Sequence, residues 1–301
     1  MSKKEKFLSL LNKIEPKIGL YLEHLNNKLK RALLVREKSI FKIFAIFLKI
    51  LFNIDFEKKL KTFWGREINV YLADADASSL YFFGVLYGEE LKIIKFLIKE
   101  LKEDDIFYDI GANLGFYTIL AQEFITNGEI HSFEPNPKIF KILKKNCKLD
   151  IFKNTYLNQI ALSDKIGEID FYDREIARHS GGSSLIKHGH FKKYKIIKVK
   201  TIKLDDYIFA YNHKSPTIIK IDVEGGEPFV LKGAINLIEK YNPIIIMEFL
   251  PDNLHYEAVN ILLNKKYKAY RIDNNGNLFP MNENDLYKQN IQHEANYVFK
   301  K

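Results

Sequence analysis

The sequence predicts an α/β protein: a parallel, doubly wound sheet preceded by a basic helical extension. Three observations predict it. From Glu89 onward, apolar strands alternate with amphipathic helical stretches. The first of those strands runs into an acidic, glycine-rich turn. The whole excess of positive charge lies in the first 62 residues, apart from the alternating pattern.

Residues 1–62 read as helical, with a break expected at Pro16 and an apolar stripe of Ile18, Leu22, Leu25, Leu29 and Leu33. Within them, Ser39 to Asn53 is apolar except for a narrow strip of Lys42, Lys49 and Asn53, continued upstream by Lys38. The run is too short and too interrupted by lysine for a transmembrane span. Two readings stay open: a helix nearly surrounded by protein, or an interfacial helix on an anionic bilayer. Residues 63–88 form a β-prone lead-in that includes Glu67–Leu72. The alternating core, 89–301, opens with a helix carrying Leu91, Ile94, Leu97, Ile98 and Leu101. A strand at Ile106–Ile110, a glycine turn and a helix to about Thr126 follow. Next come a strand at Glu129–Phe133, a helix from Pro137 to about Leu149, a strand near Thr155–Leu162 and another near Glu168–Tyr172. Further on, Thr217–Asp222 reads as a strand, Glu227–Ile238 as a helix and Pro243–Glu248 as a strand. A helix near His255–Asn264 and strands near Tyr267–Ile272 and Asn296–Lys300 complete the chain.

Composition excludes several classes. With 301 residues, 47% hydrophobic, there is material for one large domain and an appendage, and disorder is excluded over most of the length. A single cysteine, Cys147, rules out a disulfide framework and a multi-cysteine metal knuckle, and its apolar helical setting predicts a structural thiol. Residues 1–62 hold 15 Lys/Arg against 6 Asp/Glu, leaving 32 of each in the remainder. A neutral core lacks the electrostatic excess of a nucleic-acid binder, so no nucleic-acid partner is expected. The charged first residues, with no apolar run at signal-peptide distance, predict a cytoplasmic location. The basic extension adds the alternative of peripheral contact with the inner membrane or a glycan assembly. No feature of the sequence fixes an oligomeric state.

Ligands of open α/β sheets bind beyond the carboxyl ends of the strands. Asp109 stands there, followed by Gly111 and Gly115, which let the backbone turn tightly toward a ligand. Glu134, 19 residues beyond Gly115, ends the next strand, where a carboxylate can accept both hydroxyl protons of a ribose. That pair serves dinucleotides and S-adenosylmethionine alike. The turn lacks a third glycine and carries polar Asn113 where a pyrophosphate would need bare backbone. This favours a cofactor with an amino-acid tail and no phosphate.

Six blocks in order then resemble the FkbM family of methyltransferases. They are Asp-Ile-Gly-Ala-Asn-Leu-Gly (109–115), Phe-Glu-Pro-Asn-Pro (133–137), Ala-Leu-Ser (161–163), Gly-Gly-Ser-Ser-Leu (181–185), Leu-Asp (204–205) and Lys-Ile-Asp-Val-Glu-Gly-Gly-Glu (220–227). The resemblance runs from about Tyr81 to Glu248, and less distinctively to the C-terminus. It implies a Rossmann-like class I methyltransferase fold with a seven-stranded, mostly parallel sheet whose last strand is antiparallel. It also implies S-adenosylmethionine as cofactor and O-methylation of a hydroxyl on a saccharide or other metabolite. Carried onto this chain, Gly111, Asn113 and Gly115 would hold the methionine moiety, Glu134 the ribose, and the backbone near Gln159–Ala161 the adenine.

Methyl transfer from a sulfonium needs in-line positioning, and a sugar hydroxyl gains from a base or an acidifying metal. Asp222, Glu224 and Glu248 are the candidate carboxylates at the sheet's carboxyl edge; helix capping, solvent contact and structural hydrogen bonds are the plain alternatives for them and for Glu227. His179 leads the loop histidines, ahead of His188 and His190, because it abuts the Gly-Gly-Ser-Ser-Leu block. No metal site is predicted, and a catalytic divalent ion remains open. The competing readings are a nucleotide-cofactor oxidoreductase and a non-catalytic glycan-assembly partner. A nucleic-acid methyltransferase is disfavoured, because Asp-Val-Glu-Gly (222–225) stands where an Asn/Asp-Pro-Pro-Tyr motif would be.

Overall fold

The computed structural model describes residues 1–23, 56–72, 77–173, 184–186, 194–249, 252–282, 286 and 295–301. The chain divides into two compact units. One comprises Met1–Leu91 with Glu175–Gly181, the other Lys92–Arg174 with Gly182–Lys301.

In the first unit, helix α1 (Lys3–Glu23) runs unbroken through Pro16, contrary to the expected break. Asn12 and Pro16 are both exposed, so the carbonyl deprived of its donor is open to water. Phe7 packs against Phe63 and Trp64, with ring centroids 5.6 Å from each. Residues 57–61, expected to be helical, instead form β1 (Glu57–Lys61), paired antiparallel with β2 (Glu67–Tyr71). A tight turn through Gly65, at φ 94°, joins them, and Thr62 N donates to Arg66 O. The leucine stripe from Leu25 to Leu33 and the apolar stretch 39–53 lie outside the described residues. Among the described residues, no helix is long and apolar enough to cross a membrane.

The second unit is built on an eight-stranded sheet. Its strands are β3 (Ile106–Ile110), β4 (Glu129–Phe133), β5 (Thr155–Asn158), β9 (Ile218–Ile221), β10 (Ile244–Phe249), β11 (Lys268–Ile272), β12 (Leu278–Pro280) and β13 (Ala295–Lys300). The order is β12-β11-β13-β10-β9-β3-β4-β5. β5, β4, β3, β9 and β10 are parallel, and β13 runs antiparallel between β10 and β11. This is the Rossmann-like, mostly parallel sheet with an antiparallel last strand that the motifs implied. The short β12 extends the expected seven strands by a hairpin. Strands β3 and β9 are buried at every residue, as a parallel sheet covered on both faces requires.

Three expected elements differ. The strand near 155–162 bends at Gln159–Ile160: β5 stays in the main sheet, where Glu134 N donates to Asn158 O, and β6 (Ala161–Leu162) leaves it. β6 joins a three-stranded side sheet with β7 (Gly167–Asp173) and β8 (Lys195–Ile202), the last not foreseen. The helix expected over Glu227–Ile238 is two helices, Glu227–Lys232 and Ile235–Tyr241, broken at Gly233. There the chain presses against Ser163 O so closely that a Cβ would lie 2.2 Å from it. Asp205 of the Leu-Asp block caps the second helix through the amides of Asn236 and Leu237, at 3.1 and 2.8 Å.

Candidate active site

The turn after β3 is fixed by sterics from both sides. Gly111, Asn113 and Gly115 have φ of 81°, 49° and 88°. A Cβ on Gly111 would lie 1.8 Å from the backbone oxygen of Asp222, so only glycine fits where β3 passes the end of β9. The amides of Gly111 and Ala112 both donate to Phe133 O at 3.0 Å, and Asp222 N donates to Ile110 O. Three strand ends are thereby joined. Cys147 is buried beside Gly115, as a structural thiol should be.

Asp109 is fully buried. Its Oδ2 accepts from Thr118 Oγ1 at 2.6 Å, and Thr118 Oγ1 lies 2.7 Å from Ser132 Oγ. Its Oδ1 has no hydrogen-bond partner among the described residues. Burial pushes its pKa up, against the opposing pull of buried Lys220. Glu134 is also buried, and accepts from Asn113 N on Oε2 at 3.1 Å and from Asn136 N on Oε1 at 2.8 Å. Burial raises its pKa to about 7, although both backbone bonds favour the anion. Gln159 is exposed at the bend after β5, and Ala161 is buried at the start of β6.

Lys220 reaches Asp222 Oδ2 at 2.7 Å and lies 4.6 Å from the centre of the Tyr117 ring. One carboxylate oxygen from each of Asp222, Glu224 and Glu248 lies within 4.8 Å of the others. The structure thus brings the three sequence-named carboxylates together. Glu224 adopts φ 54°, and its backbone oxygen accepts from Ser184 Oγ, in the Gly-Gly-Ser-Ser-Leu block, at 2.7 Å. His179, His188 and His190 lie outside the described residues.

Two neighbours were not singled out by the sequence. Glu227, read there as a capping or solvent-facing group, is fully buried and accepts from Val223 N through Oε1 at 3.0 Å. His255, also fully buried, stands in the first turn of the helix Asn253–Asn264, capped by Asp252. Asp-x-x-His at a helix start was the available signal. Glu227, Glu248 and His255 form a second set with ligand atoms within 4.8 Å of one another.

The family model described as the methyltransferase FkbM domain matches residues 109–271, more than half of the chain. The chain belongs to the FkbM methyltransferase family. The match begins at Asp109 and spans every candidate carboxylate above. The FkbM domain of this chain is 32% identical over 162 residues to hexuronic acid methyltransferase AglP of Haloferax volcanii, covering 54% of this chain and 62% of that protein. It is 25% identical to the 31-O-demethyl-FK506 methyltransferase FkbM of Streptomyces tacrolimicus, covering 44% of this chain and 61% of that one. The chain therefore spans less than two thirds of the length of these relatives. A solved methyltransferase FkbM from Methylobacillus flagellatus superposes over 75% of this chain and 51% of its own, with a TM-score of 0.45 and 15% identity.

Proposed function

We propose that the chain is an S-adenosylmethionine-dependent O-methyltransferase whose acceptor is a hydroxyl of a saccharide. The observation that carries this reading is the pairing of the turn 109–115 with Glu134 inside an FkbM domain. The residues fit the cofactor. Each Glu134 oxygen accepts one backbone hydrogen bond and retains a lone pair, as the two hydroxyls of a ribose require. Asp109 Oδ1 is an acceptor awaiting a donor, and the ammonium of an amino-acid tail supplies one. Gly111 and Gly115, at φ 81° and 88°, shape the turn that the same tail would meet. The backbone near Gln159–Ala161 would flank the adenine.

When bound, S-adenosylmethionine supplies an electrophilic methyl carbon on a sulfonium. The chain's own work is to orient the acceptor and take its proton. Asp222, Glu224 and Glu248 can hold a sugar hydroxyl between them, and this carboxylate cluster receives the proton as the oxygen attacks. Family membership displaces the oxidoreductase reading. A saccharide acceptor is supported by the hexuronic acid methyltransferase among the relatives. The charge of residues 1–62 supports their docking to an anionic membrane surface.

The test has two parts. Calorimetry should show S-adenosylhomocysteine binding that falls about 100-fold in Glu134→Ala, the loss of two charge-assisted hydrogen bonds. Incubation with labelled methyl donor and fractionated glycan precursors, hexuronic acid-bearing ones among them, should yield a methylated sugar by mass spectrometry. Unchanged affinity in Glu134→Ala, or binding without transfer to any glycan fraction, would remove the reading.

A further inference from the structure

His255 is oriented by a carboxylate on one side and faces a second, buried carboxylate on the other. Its Nδ1 lies 2.8 Å from Asp252 Oδ1, which also caps the helix by accepting from His255 N at 2.9 Å. The carboxylate accepts, so Nδ1 carries a proton and Nε2 is the nitrogen left for another partner. Nε2 faces Glu227 Oε2 at 3.5 Å. Both side chains are fully buried, and neither atom has a hydrogen-bond partner among the described residues. Glu227 Oε1 is already engaged by Val223 N. A ring nitrogen and a carboxylate oxygen thus face each other in a dry interior, and one ligand atom from each of Glu227, Glu248 and His255 lies within 4.8 Å of the others.

We propose that Glu227, Glu248 and His255 form a binding site for a first-row divalent cation. The separation supports it. Ligand atoms about 2.0–2.2 Å from a tetrahedral ion stand roughly 3.3–3.6 Å apart, which brackets the Glu227–His255 distance. A ligating histidine normally donates its other N–H to a carboxylate, the arrangement Asp252 provides. One imidazole and two carboxylates suit Mn²⁺, Fe²⁺ or Zn²⁺ better than Mg²⁺ or Ca²⁺, which prefer oxygen throughout. Glu248 belongs both to this set and to the Asp222–Glu224 cluster. A cation held there would be linked through Glu248 to the carboxylates assigned to the acceptor. There it would act as a Lewis acid on the acceptor oxygen, a role that rests on the methyl-transfer reading. The site itself does not.

The experiment titrates the EDTA-stripped full chain with MnCl₂, following free Mn²⁺ by electron paramagnetic resonance. Calorimetry with S-adenosylhomocysteine runs on the same samples. The expected result is one Mn²⁺ site per chain, displaced by Zn²⁺ and not by excess Mg²⁺, and weakened at least about tenfold in His255→Gln and in Glu248→Gln. His255 is fully buried, so if His255→Gln does not fold, Glu248→Gln at the half-buried position decides alone. The proposal is overturned if the wild-type chain takes up neither Mn²⁺ nor Zn²⁺, which would leave Glu227 and His255 sharing a proton. It is equally overturned if the folded variants bind Mn²⁺ as the wild type does. S-adenosylhomocysteine binding without Mn²⁺ uptake removes the metal alone, whereas Mn²⁺ uptake without S-adenosylhomocysteine binding removes the methyl-transfer reading alone.

Discussion

His131 and His255 are both fully buried imidazoles in one unit, yet they are partnered in opposite ways. His131 lies on β4 in an aromatic pocket, stacked on Tyr156 with ring centroids 4.6 Å apart. Its Nδ1 lies 2.8 Å from Tyr207 Oη and its Nε2 3.2 Å from Glu129 Oε2. Both nitrogens are satisfied by the protein, and the ring is structural. His255 stands at the carboxyl edge of the sheet with Nδ1 hydrogen-bonded to Asp252 and Nε2 3.5 Å from a buried oxygen of Glu227, neither of those two atoms having a hydrogen-bond partner among the described residues. Asp109 Oδ1 adds another unmet acceptor beside the same edge. Burying a polar atom without a partner costs free energy. Where such atoms collect along one edge, a bound ligand would offset that cost. Burial alone does not mark a site; burial with unmet bonding capacity does.

The largest effect should come from crowding the carboxyl edge. Gly111→Ala would put a methyl group 1.8 Å from Asp222 O and 2.8 Å from Asp222 C, both backbone atoms, at φ 81°. A loss of at least about 4 kcal/mol, or failure to fold, is expected. Gly65→Ala, at φ 94° with nothing within 4 Å of its Cβ, should cost only the strain of its φ, about 1–2 kcal/mol. Thermal denaturation of the two variants measures the difference; equal losses would mean that the strand ends are not jammed as the geometry shows.

A smaller effect should come from the aromatic pocket, and it should be confined to stability. Burial pushes the His131 pKa down to about 4, against the pull of Glu129. The unfolded chain, with histidine near 6.5, binds the proton first, so stability is lost as pH falls from about 6.5 to about 4. The loss should reach up to about 3 kcal/mol. His131→Phe should flatten that slope and cost about 1–3 kcal/mol at neutral pH. Mn²⁺ and S-adenosylhomocysteine affinities should stay within about twofold in this variant. A His131→Phe protein with impaired ligand binding would erase the distinction between the two histidines.

The sequence made the sheet legible where chemistry and pattern agreed. Ile106–Ile110 and Thr217–Asp222 are near-continuous apolar runs because parallel strands are covered on both faces, and the glycine turn stands out because φ above zero excludes most residues. β8 was not legible: Lys195, Lys198 and Lys200 give it the look of a solvated loop, and only pairing with β7 makes it a strand. The carboxylates Asp222, Glu224 and Glu248 could be named because each ends or follows a strand. The meeting of Glu227 with His255 could not. It arises from contact between the first turns of two helices separated in the chain by β10, a tertiary juxtaposition with no local signature.

The smallest effect is also the one most specific to the cofactor reading. Glu134 sits between the two histidine regions in kind: both its oxygens are engaged by backbone amides, yet burial still lifts its pKa to about 7. Ribose hydroxyls donate, and only the anion accepts from both, so binding draws Glu134 toward the ionised form. Affinity for S-adenosylhomocysteine should therefore rise with pH through about 7. Between pH 8 and pH 6 the ionised fraction drops from about nine-tenths to about one-tenth, so affinity should fall up to about tenfold. In Glu134→Gln the affinity should be lower throughout and flat over that range, as calorimetry at the two pH values would show. A slope that persists in Glu134→Gln would move the titrating group elsewhere. Glu134 would then resemble His131, a buried group whose needs the protein meets by itself.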